Sequence, residues 1–381
     1  MTSILGKPKA LLITVLVLTV LIISVLGGAL GNALGLGFLS SSLPAIQLPA
    51  ENVIEGEGLS TPLGAWHLMN TMVTAWLAML VLIIAALLIR KSLNEIPGRF
   101  QALFEIIVEF FLTLCEKVAG KDKARRFFPL VFTIFIFIII ANWMGILPGF
   151  GTVGRIADPT EIAHHKHVSY EDPALRDYTA DLDHDDSHAK PDDDHAGVLD
   201  SVKLHVFQGQ GSVAIMTPGS LKEELTFAEY GEKDGLIGQN KRAGHLVPFL
   251  RSANTDVNMT LAMAIIAMVM VHYWALSILG VPAHISKFIN FKEGPIGFFV
   301  GILEIISELA KVISFTFRLF GNIFAGEVLL MAIGFLLPLI GIMPFLGLEL
   351  FVGVIQALIF SMLTLVFASM ASVSHSVDDH H

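Results

Sequence analysis

The chain has 381 residues, of which 54% are hydrophobic and only 15% are charged, and its mean hydropathy is +0.70. Because soluble domains carry about 25% charged residues, this composition excludes an ordinary cytosolic fold and favours an integral membrane protein. The formal net charge of −10 argues against a nucleic-acid-binding protein, since phosphate recognition needs a basic surface. The negative charge is local: residues 151–200 hold thirteen acidic and four basic residues, which predicts one acidic polar insert. The single cysteine, Cys115, excludes an internal disulfide.

Uncharged or nearly uncharged runs occur in five regions that are long enough to cross a bilayer, which takes about 20 apolar residues. The last region is about two spans long. Pro338 and Pro344 interrupt it near its middle, so we predict two long helices joined by a short turn. The five regions are residues 10–26, 71–89, 127–154, 257–286 and 294–377.

The first region has two interpretations. Its basic start, apolar core and small-residue exit fit a retained transmembrane helix, and they also fit a secretory signal peptide. Residues 1–38 are therefore expected to be a signal peptide or a first transmembrane helix. In both cases residues 39–65 form an outer segment.

Residues 97–120 carry apolar side chains at helical spacing, but Glu105, Glu109 and Glu116 interrupt any spanning run. This pattern predicts an amphipathic helix that lies in the cytoplasmic interface of the membrane. Packing on another cytoplasmic domain is the weaker interpretation, because the chain contains no such domain. Residues 66–150 are thus expected to hold a transmembrane helix, this amphipathic helix and a second transmembrane helix.

Basic residues form three clusters that fall on one side of the membrane if every region crosses it as predicted. Lysine and arginine mark the cytoplasmic side, so the protein is expected to be multi-pass with a cytoplasmic C-terminus. Glu51, Glu55, Glu57 and the insert at 151–246 then lie outside. The basic clusters are Lys7 and Lys9; Arg90, Lys91, Arg99, Lys117, Lys121, Lys123, Arg125 and Arg126; and Lys287 and Lys292.

The insert at 151–246 is rich in histidine and aspartate. Its composition favours a solvated, partly disordered outer loop, and weak metal binding and proton buffering remain alternatives. Residues 202–249 are less polar and are expected to form a small folded cap. Six histidines lie among its acidic residues: His164, His165, His167, His184, His188 and His195.

Six charged residues lie in the final apolar region, where each costs at least about 2.5 to 3.5 kcal/mol on insertion scales. They are therefore expected to be paired or functional. At about 100° per residue, one helix face carries Glu304, Glu308, Lys311, Ser314, Arg318 and Asn322, and Glu327 lies on the opposite face. The second helix carries Glu349, Gly353, Gln356 and Phe360 on one face.

These charges admit different roles. Glu308 and Lys311 fit a plain ion pair as well as a transport site, and Glu304 fits a side chain that reaches to the interface as well as a pathway group. Glu327 and Glu349 lie at similar depth near the outer side. They are expected to relay protons in an outer half-channel, and a packed neutral carboxyl pair is the alternative.

Arg318 lies near the middle of the membrane, with Ser314 and Asn322 as its local polar neighbours. Arginine stays protonated at any accessible pH, so it cannot carry protons. It can attract a partner's carboxylate, favour proton release from that carboxylate, and prevent protons from passing directly between two aqueous routes.

Residues 318–327, RLFGNIFAGE, resemble the signature of subunit a of the F-type ATP synthase, the membrane stator of the rotating c-ring. Four further segments in the same order resemble that family, and the likeness covers about residues 66–150 and 247–374. These segments are IPGRFQ at 96–101, NWMGILPG at 142–149, DVNMTLAMA at 256–264 and QALIF at 356–360.

The resemblance implies an all-α polytopic membrane protein with about five spans and an interfacial amphipathic helix. Residues 247–377 would hold a transmembrane helix and a c-ring-facing helical hairpin with two proton half-channels. Arg318 would face the ring carboxylates and separate the half-channels. The positions that the family associates with the polar pathways are Asn322, Glu327, Gln356, Asp256, Asn258, Ser314 and Glu304, and Glu349 joins them from the charge pattern.

The sequence departs from the family pattern at three places. Many members carry histidine at one of the positions matching Glu327 and Glu349, so two carboxyls here would titrate as a coupled pair. Gly145 stands where some members have an acidic residue. The insert at 155–244 has no counterpart in compact members.

The resemblance implies a subunit that couples transmembrane proton flow to c-ring rotation and ATP synthesis, with the c-ring, subunit b and the rest of the complex as partners. The chain is not expected to be an enzyme by itself, to need a cofactor or metal, or to bind ATP or nucleic acid. A stand-alone ion-coupled secondary transporter is the alternative, although the sequence has no internal duplication of the kind such transporters show. A membrane scaffold would leave Arg318 and the two outer glutamates unexplained.

Overall fold

The computed structural model describes the helices and most strands of the chain. It covers residues 8–35, 50–54, 59–61, 64–91, 93, 98–147, 149–157, 162, 204–208, 213–216, 224–225, 241–288 and 294–373. The six histidines between residues 164 and 195, and most of the acidic insert itself, lie outside the described residues.

Helices dominate the described part of the chain, and five of them are long and apolar enough to cross a membrane. The chain is an all-α polytopic membrane protein, as the sequence predicts. The helices are α1 (Pro8–Gly27), α2 (Ala29–Ala33), α3 (Asn70–Lys91), α4 (Arg99–Ala119), α5 (Lys121–Ile146), α6 (Val257–Leu279), α7 (Val281–Phe288), α8 (Gly294–Leu336) and α9 (Ile342–Ala371). The five candidate spans are α3, α5, α6, α8 from Ile296, and α9.

The last two helices run antiparallel. The rings of Phe315 on α8 and Phe360 on α9 stack with their centroids 4.7 Å apart, and Gly326 lies against Glu349 nearer the turn. The turn falls at residues 337–341, as Pro338 predicts. Pro344 lies inside the first turn of α9 and does not break it, because amide groups in a first helical turn have no helical partner to lose.

Aromatic packing between α5, α6, α8 and α9 forms the main hydrophobic core. Phe127 on α5 packs on Trp274 of α6 with ring centroids 4.6 Å apart. Helix α4 folds back on α5 through Phe111, whose ring lies 4.7 Å from that of Phe135. Its other side leaves apolar side chains exposed, which suits a helix that contacts lipid. Those side chains are Leu103, Ile106 and Phe110.

Two predicted spans end earlier than their uncharged runs. Helix α5 stops at Ile146, and Val153 already belongs to a strand. Helix α6 stops at Leu279, and α7 follows as a separate short helix. Gly280 between them has φ of +81°, a conformation that ends a helix and that glycine adopts without steric cost. Absence of charge therefore overestimates helix length, because turns between apolar segments can also be uncharged.

Strands form a small cap at one end of the helices. A two-stranded hairpin joins β1 (Leu59–Thr61) to β2 (Gly64–Trp66). A five-stranded antiparallel sheet has the order β5, β3, β7, β4, β6. Its strands are β3 (Val153–Ala157), β4 (Leu204–Gln208), β5 (Val213–Ile215), β6 (Glu224–Leu225) and β7 (Lys241–Pro248). The sheet agrees with the folded cap predicted for residues 202–249, and β3 extends it to earlier residues.

The sheet attaches to the helix ends through backbone and amide bonds. The Asn70 side chain at the start of α3 donates to the carbonyl oxygen of Pro248 at 3.2 Å, and the Gly151 amide donates to that of Leu250 at 2.9 Å. We call this end of the molecule, where α3, α6 and α9 begin and α5 and α8 end, the cap end.

A chain of buried amides links three elements near the cap end. Asn254, in a short 3-10 turn before α6, donates to the Oδ1 atom of Asn142 on α5 at 2.6 Å. The Asn142 amide in turn faces the backbone carbonyl of Gly353 on α9 at 3.4 Å. Both asparagines are buried, so their hydrogen bonds fix how α5, α6 and α9 meet.

Asn142→Ala should lower the thermal stability of the purified protein in detergent. The substitution leaves the buried amide of Asn254 without its acceptor, at a cost of about 1–3 kcal/mol. Ser286→Ala is the control, because that exposed hydroxyl bonds only its own helix. An unfolding temperature for Asn142→Ala equal to that of the control would contradict the structural role of the amide chain.

Candidate functional site: a charged path along α8

Arg318 lies on a face of α8 that the described part of the chain leaves uncovered. Ser314, Arg318 and Asn322 are all exposed, and among the described residues the guanidinium donates only to the Ser314 hydroxyl, at 3.4 Å. The opposite face of α8 is buried in the core by Phe315, Leu319 and Ile323. The helical spacing read from the sequence thus corresponds to a real division of α8 into a packed face and a face open to a partner.

Apart from Ser314 and Asn322, apolar side chains are exposed near Arg318. Phe317 directly precedes it, and Leu329 lies about three helical turns further along the same stripe. A permanent cation within an apolar surface is costly in lipid. It would be stabilised by a partner that brings a carboxylate, through a charge-assisted hydrogen bond.

Glu327 pairs with a residue that the charge pattern of the helices does not reveal. Arg251, in the segment between β7 and the 3-10 turn, places its Nε atom 3.3 Å from Oε1 of Glu327 and its Nη2 atom 3.4 Å from Oε2. Only 7% of the Arg251 side chain is exposed, against 28% for Glu327. The arginine is therefore a buried counter-charge for this carboxylate.

Glu349 lies beside the same pair. A methyl group at Gly326 would occupy the position of the Glu349 carboxylate, so the absence of a side chain there lets α9 present Glu349 close to α8. Glu349 is also near enough to Glu327 for their charges to interact. The structure thus brings the two predicted outer glutamates together and adds Arg251 to them.

A fourth ionisable residue, Glu51, completes this group at the cap end. Its carboxylate accepts from the Asn70 amide at 3.4 Å. Burial raises its pKa to about 7, opposed by Arg251 and Arg155 and assisted by Glu327. Sequence reasoning used Glu51 only as a sign of membrane orientation.

One feature of the sequence distinguishes Arg251 as a candidate functional residue. It is an isolated cation five residues before Asp256, and it stands outside every apolar run. A search restricted to charges inside predicted spans passes over such a residue, although loops at the ends of spans can fold back onto them.

The remaining predicted residues near the cap end have varied surroundings. Gln356 is buried on α9 beside Gly353 and Phe360. Asp256 caps α6 by accepting from the Asn258 amide at 2.9 Å, and it accepts from the Thr71 hydroxyl at 3.1 Å. This arrangement gives Asp256 a capping role. Asn258 itself is exposed in the first turn of α6.

Charges at the opposite end of α8 form a second group. Lys311 donates to Glu308 at 2.7 Å, so the structure contains the ion pair that the sequence left open. His272 on α6 approaches the other oxygen of Glu308 at 3.7 Å. Glu304, one turn earlier, is half-buried and makes no hydrogen bond or ion pair with any described residue. The structure does not bring Glu304 to the outer residues.

Gly145 stands at the position where some members of the family that the sequence resembles have an acidic residue. It lies too close to a neighbouring segment for any side chain. A Cβ atom there would be 2.6 Å from that of Ser252. Among the described residues, no group of three or more His, Cys, Asp and Glu side chains is arranged to hold a metal ion. Two histidine rings do meet in the sheet, those of His205 and His245, with centroids 5.6 Å apart.

Comparison with known proteins gives a consistent family. The family model described as "ATP synthase A chain" matches residues 72–169 and 235–369. "ATP synthase subunit a" of Desulforamulus reducens is 25% identical over 334 residues, 83% of this chain and 86% of that protein. The protein of the same name from Mycobacterium leprae is 26% identical over 320 residues, 82% of this chain and 88% of its own length.

A more local likeness is stronger. "ATP synthase subunit a 1" of Hahella chejuensis is 42% identical over 99 residues, 24% of this chain and 41% of that protein. With the family model covering well over half of the chain and five helices able to cross a membrane, the chain belongs to the ATP synthase A chain family, subunit a of the membrane sector of the F-type ATP synthase.

Proposed function

We propose that this chain provides two proton half-channels that end on either side of Arg318, and that it couples proton flow to rotation of a c-ring. The observation that carries the proposal is the position of Arg318, a cation exposed on the face of α8 that the described part of the chain leaves uncovered. A c-ring brings carboxylates at the depth of the membrane. The guanidinium favours their ionised form and so promotes proton release as each carboxylate passes.

The outer half-channel is proposed to use Glu327 and Glu349. These carboxyls lie between the cap end and Arg318, and Asn322 continues the polar surface along α8. Both glutamates can bind and release protons, whereas Arg251 holds its charge. Arg251 is therefore a positioning residue: it fixes the Glu327 carboxylate and offsets its charge. Gln356, Asp256 and Asn258 belong to the same proposal as polar groups of α9 and α6.

The inner half-channel is proposed to lead from Ser314 past Glu304 towards the end of α8 opposite the cap. Glu308, Lys311 and His272 are the other ionisable groups on that side. Basic residues at the ends of α3 and α7 and the start of α5 support a position of this end on the cytoplasmic side of a bacterial inner membrane, by the positive-inside rule. The cap and the C-terminus would then lie outside and inside, respectively.

Proton flow can drive ring rotation only if the two half-channels are kept separate. Moving one charge through the membrane potential is worth about 2.3 kcal/mol per 100 mV. A proton that crossed directly from the outer to the inner route would release this energy as heat. Arg318 repels such a proton, so each proton must travel with a ring carboxylate. ATP synthesis itself would occur elsewhere in the complex, with subunit b among the remaining partners.

Arg318→Ala should abolish proton-driven ATP synthesis by the purified, reconstituted complex, because the ring carboxylates lose their counter-charge. The side chain packs against no described core residue, so assembly should be retained. Phe317→Ala, its exposed apolar neighbour, is the matched control and should keep most activity. Normal synthesis by Arg318→Ala would refute the proposed function, as would purification of the parent chain without a c-ring.

Glu327→Gln combined with Glu349→Gln should strongly reduce proton conduction through the membrane sector, since amides do not titrate in this range. A general acid or base typically contributes about 10²–10⁴-fold to a proton-transfer rate. Conduction is measured from pH changes in proteoliposomes under an imposed potential. Unchanged conduction would leave both residues as packing groups.

Arg251→Gln and Glu327→Gln should each lower the thermal inactivation temperature of the complex, because each removes the ion pair between these two partly buried side chains. The double variant should be more stable than the sum of the single effects predicts, since the same ion pair can be lost only once. The four proteins form a double-mutant cycle. Strict additivity would show that the two side chains do not interact.

A further inference from the structure

The segment that contains Glu51 is hydrogen-bonded to the start of α3, which begins 19 residues later in the chain. The Asn70 amide donates to the Glu51 carbonyl oxygen at 3.0 Å, and the Val53 amide donates to that of Leu68 at 2.9 Å. These bonds place residues 51–53 alongside the start of α3. Glu51 lies outside residues 72–169 and 235–369, which the family model matches.

The Asn70 side chain links Glu51 to the segment that carries Arg251: it donates to the Glu51 carboxylate and, at 3.2 Å, to the carbonyl oxygen of Pro248, three residues before Arg251. The groups that act on Glu51 are Arg155 from β3, Arg251 from the segment before α6, and Glu327 from α8. Asn70 from α3 adds a hydrogen bond at 3.4 Å. Burial outweighs the two arginines and raises the pKa of Glu51 to about 7, so both protonation states are populated near neutral pH.

The net charge of the carboxyls and guanidiniums at the cap end depends on how many protons they hold. Glu51, Glu327 and Glu349 bring three carboxyls, and Arg155 and Arg251 bring two permanent cations. The set is electrically neutral when the three carboxyls share one proton. Moving that proton from one carboxyl to another leaves the net charge unchanged, so the transfer avoids the large cost of creating an isolated buried charge.

We propose that Glu51 is the outer proton-loading group of this chain and supplies protons to Glu327. A proton from the outer aqueous phase binds the Glu51 carboxylate. The neutral carboxyl then gives that proton to the Glu327 carboxylate and becomes ionised again, ready to reload. The inference rests on the proposed function, because it assumes that Glu327 belongs to a proton path.

The experiment varies outer pH alone. The intact complex is reconstituted in proteoliposomes, and proton conduction under an imposed potential is measured between outer pH about 5.5 and about 8. Three variants are compared with the parent: Glu51→Gln, which cannot load a proton; Glu51→Asp, which can; and Glu109→Gln. The last makes the same chemical change at an exposed glutamate of α4, far from the cap end.

Glu51→Gln should conduct about tenfold more slowly than the parent at outer pH about 8, where free protons are scarce and a loading group matters. The difference should vanish at outer pH about 5.5, where protons reach Glu327 without it. Glu51→Asp should recover much of the rate, and Glu109→Gln should match the parent throughout.

Two results would overturn the inference. One is conduction by Glu51→Gln equal to that of the parent at every pH. The other is a loss of conduction that is the same at every pH, since this would show a structural role. Failure of the proposed function is distinguishable, because it would appear in the parent complex as absence of conduction or as indifference to Glu327→Gln.

Discussion

The cost of placing charge in a membrane is the constraint on which the rest of the structure depends. The two last helices carry six ionisable residues, and the described contacts deal with them in different ways. Glu308 is neutralised by Lys311 on its own helix. Glu327 is neutralised by Arg251, which reaches it from outside the spans. Arg318 receives no such partner from the described chain, and this is the strongest reason to look for its counter-charge on another subunit.

The cap positions the charged residues at the cap end of the helices. β7 ends at Pro248, and the chain then passes Arg251 before the 3-10 turn leads into α6. The carbonyl oxygen of Pro248 accepts a hydrogen bond from the Asn70 side chain, which also donates to the Glu51 carboxylate. Sheet, turn and helix starts therefore converge on one group of carboxyls and guanidiniums. An otherwise apolar protein can keep Glu327 and Glu51 ionisable because Glu327 pairs with Arg251 and Glu51 accepts from the Asn70 amide.

Local periodicity explains why much of the fold could be predicted. Hydrophobic length gave the spans, and spacing of three and four residues gave the exposed face of α8 with Ser314, Arg318 and Asn322. These features depend only on neighbours along one helix. Arg251 could not be placed in this way, because it lies 76 residues from Glu327 in the chain. Likewise, the surroundings of Glu51 depend on pairing between a loop and the start of a helix, and Asp256 proved to be a helix cap.

Cross-linking across the open face of α8 tests the central claim most directly. In a complex whose native Cys115 is replaced by alanine, Asn322→Cys should form a disulfide with a cysteine placed next to the carboxylate of the ring subunit. Ile323→Cys, one residue further and buried in the core, should not. Cross-linking from position 323 with none from position 322 would contradict the account, because the face that carries Arg318 would then point away from the ring.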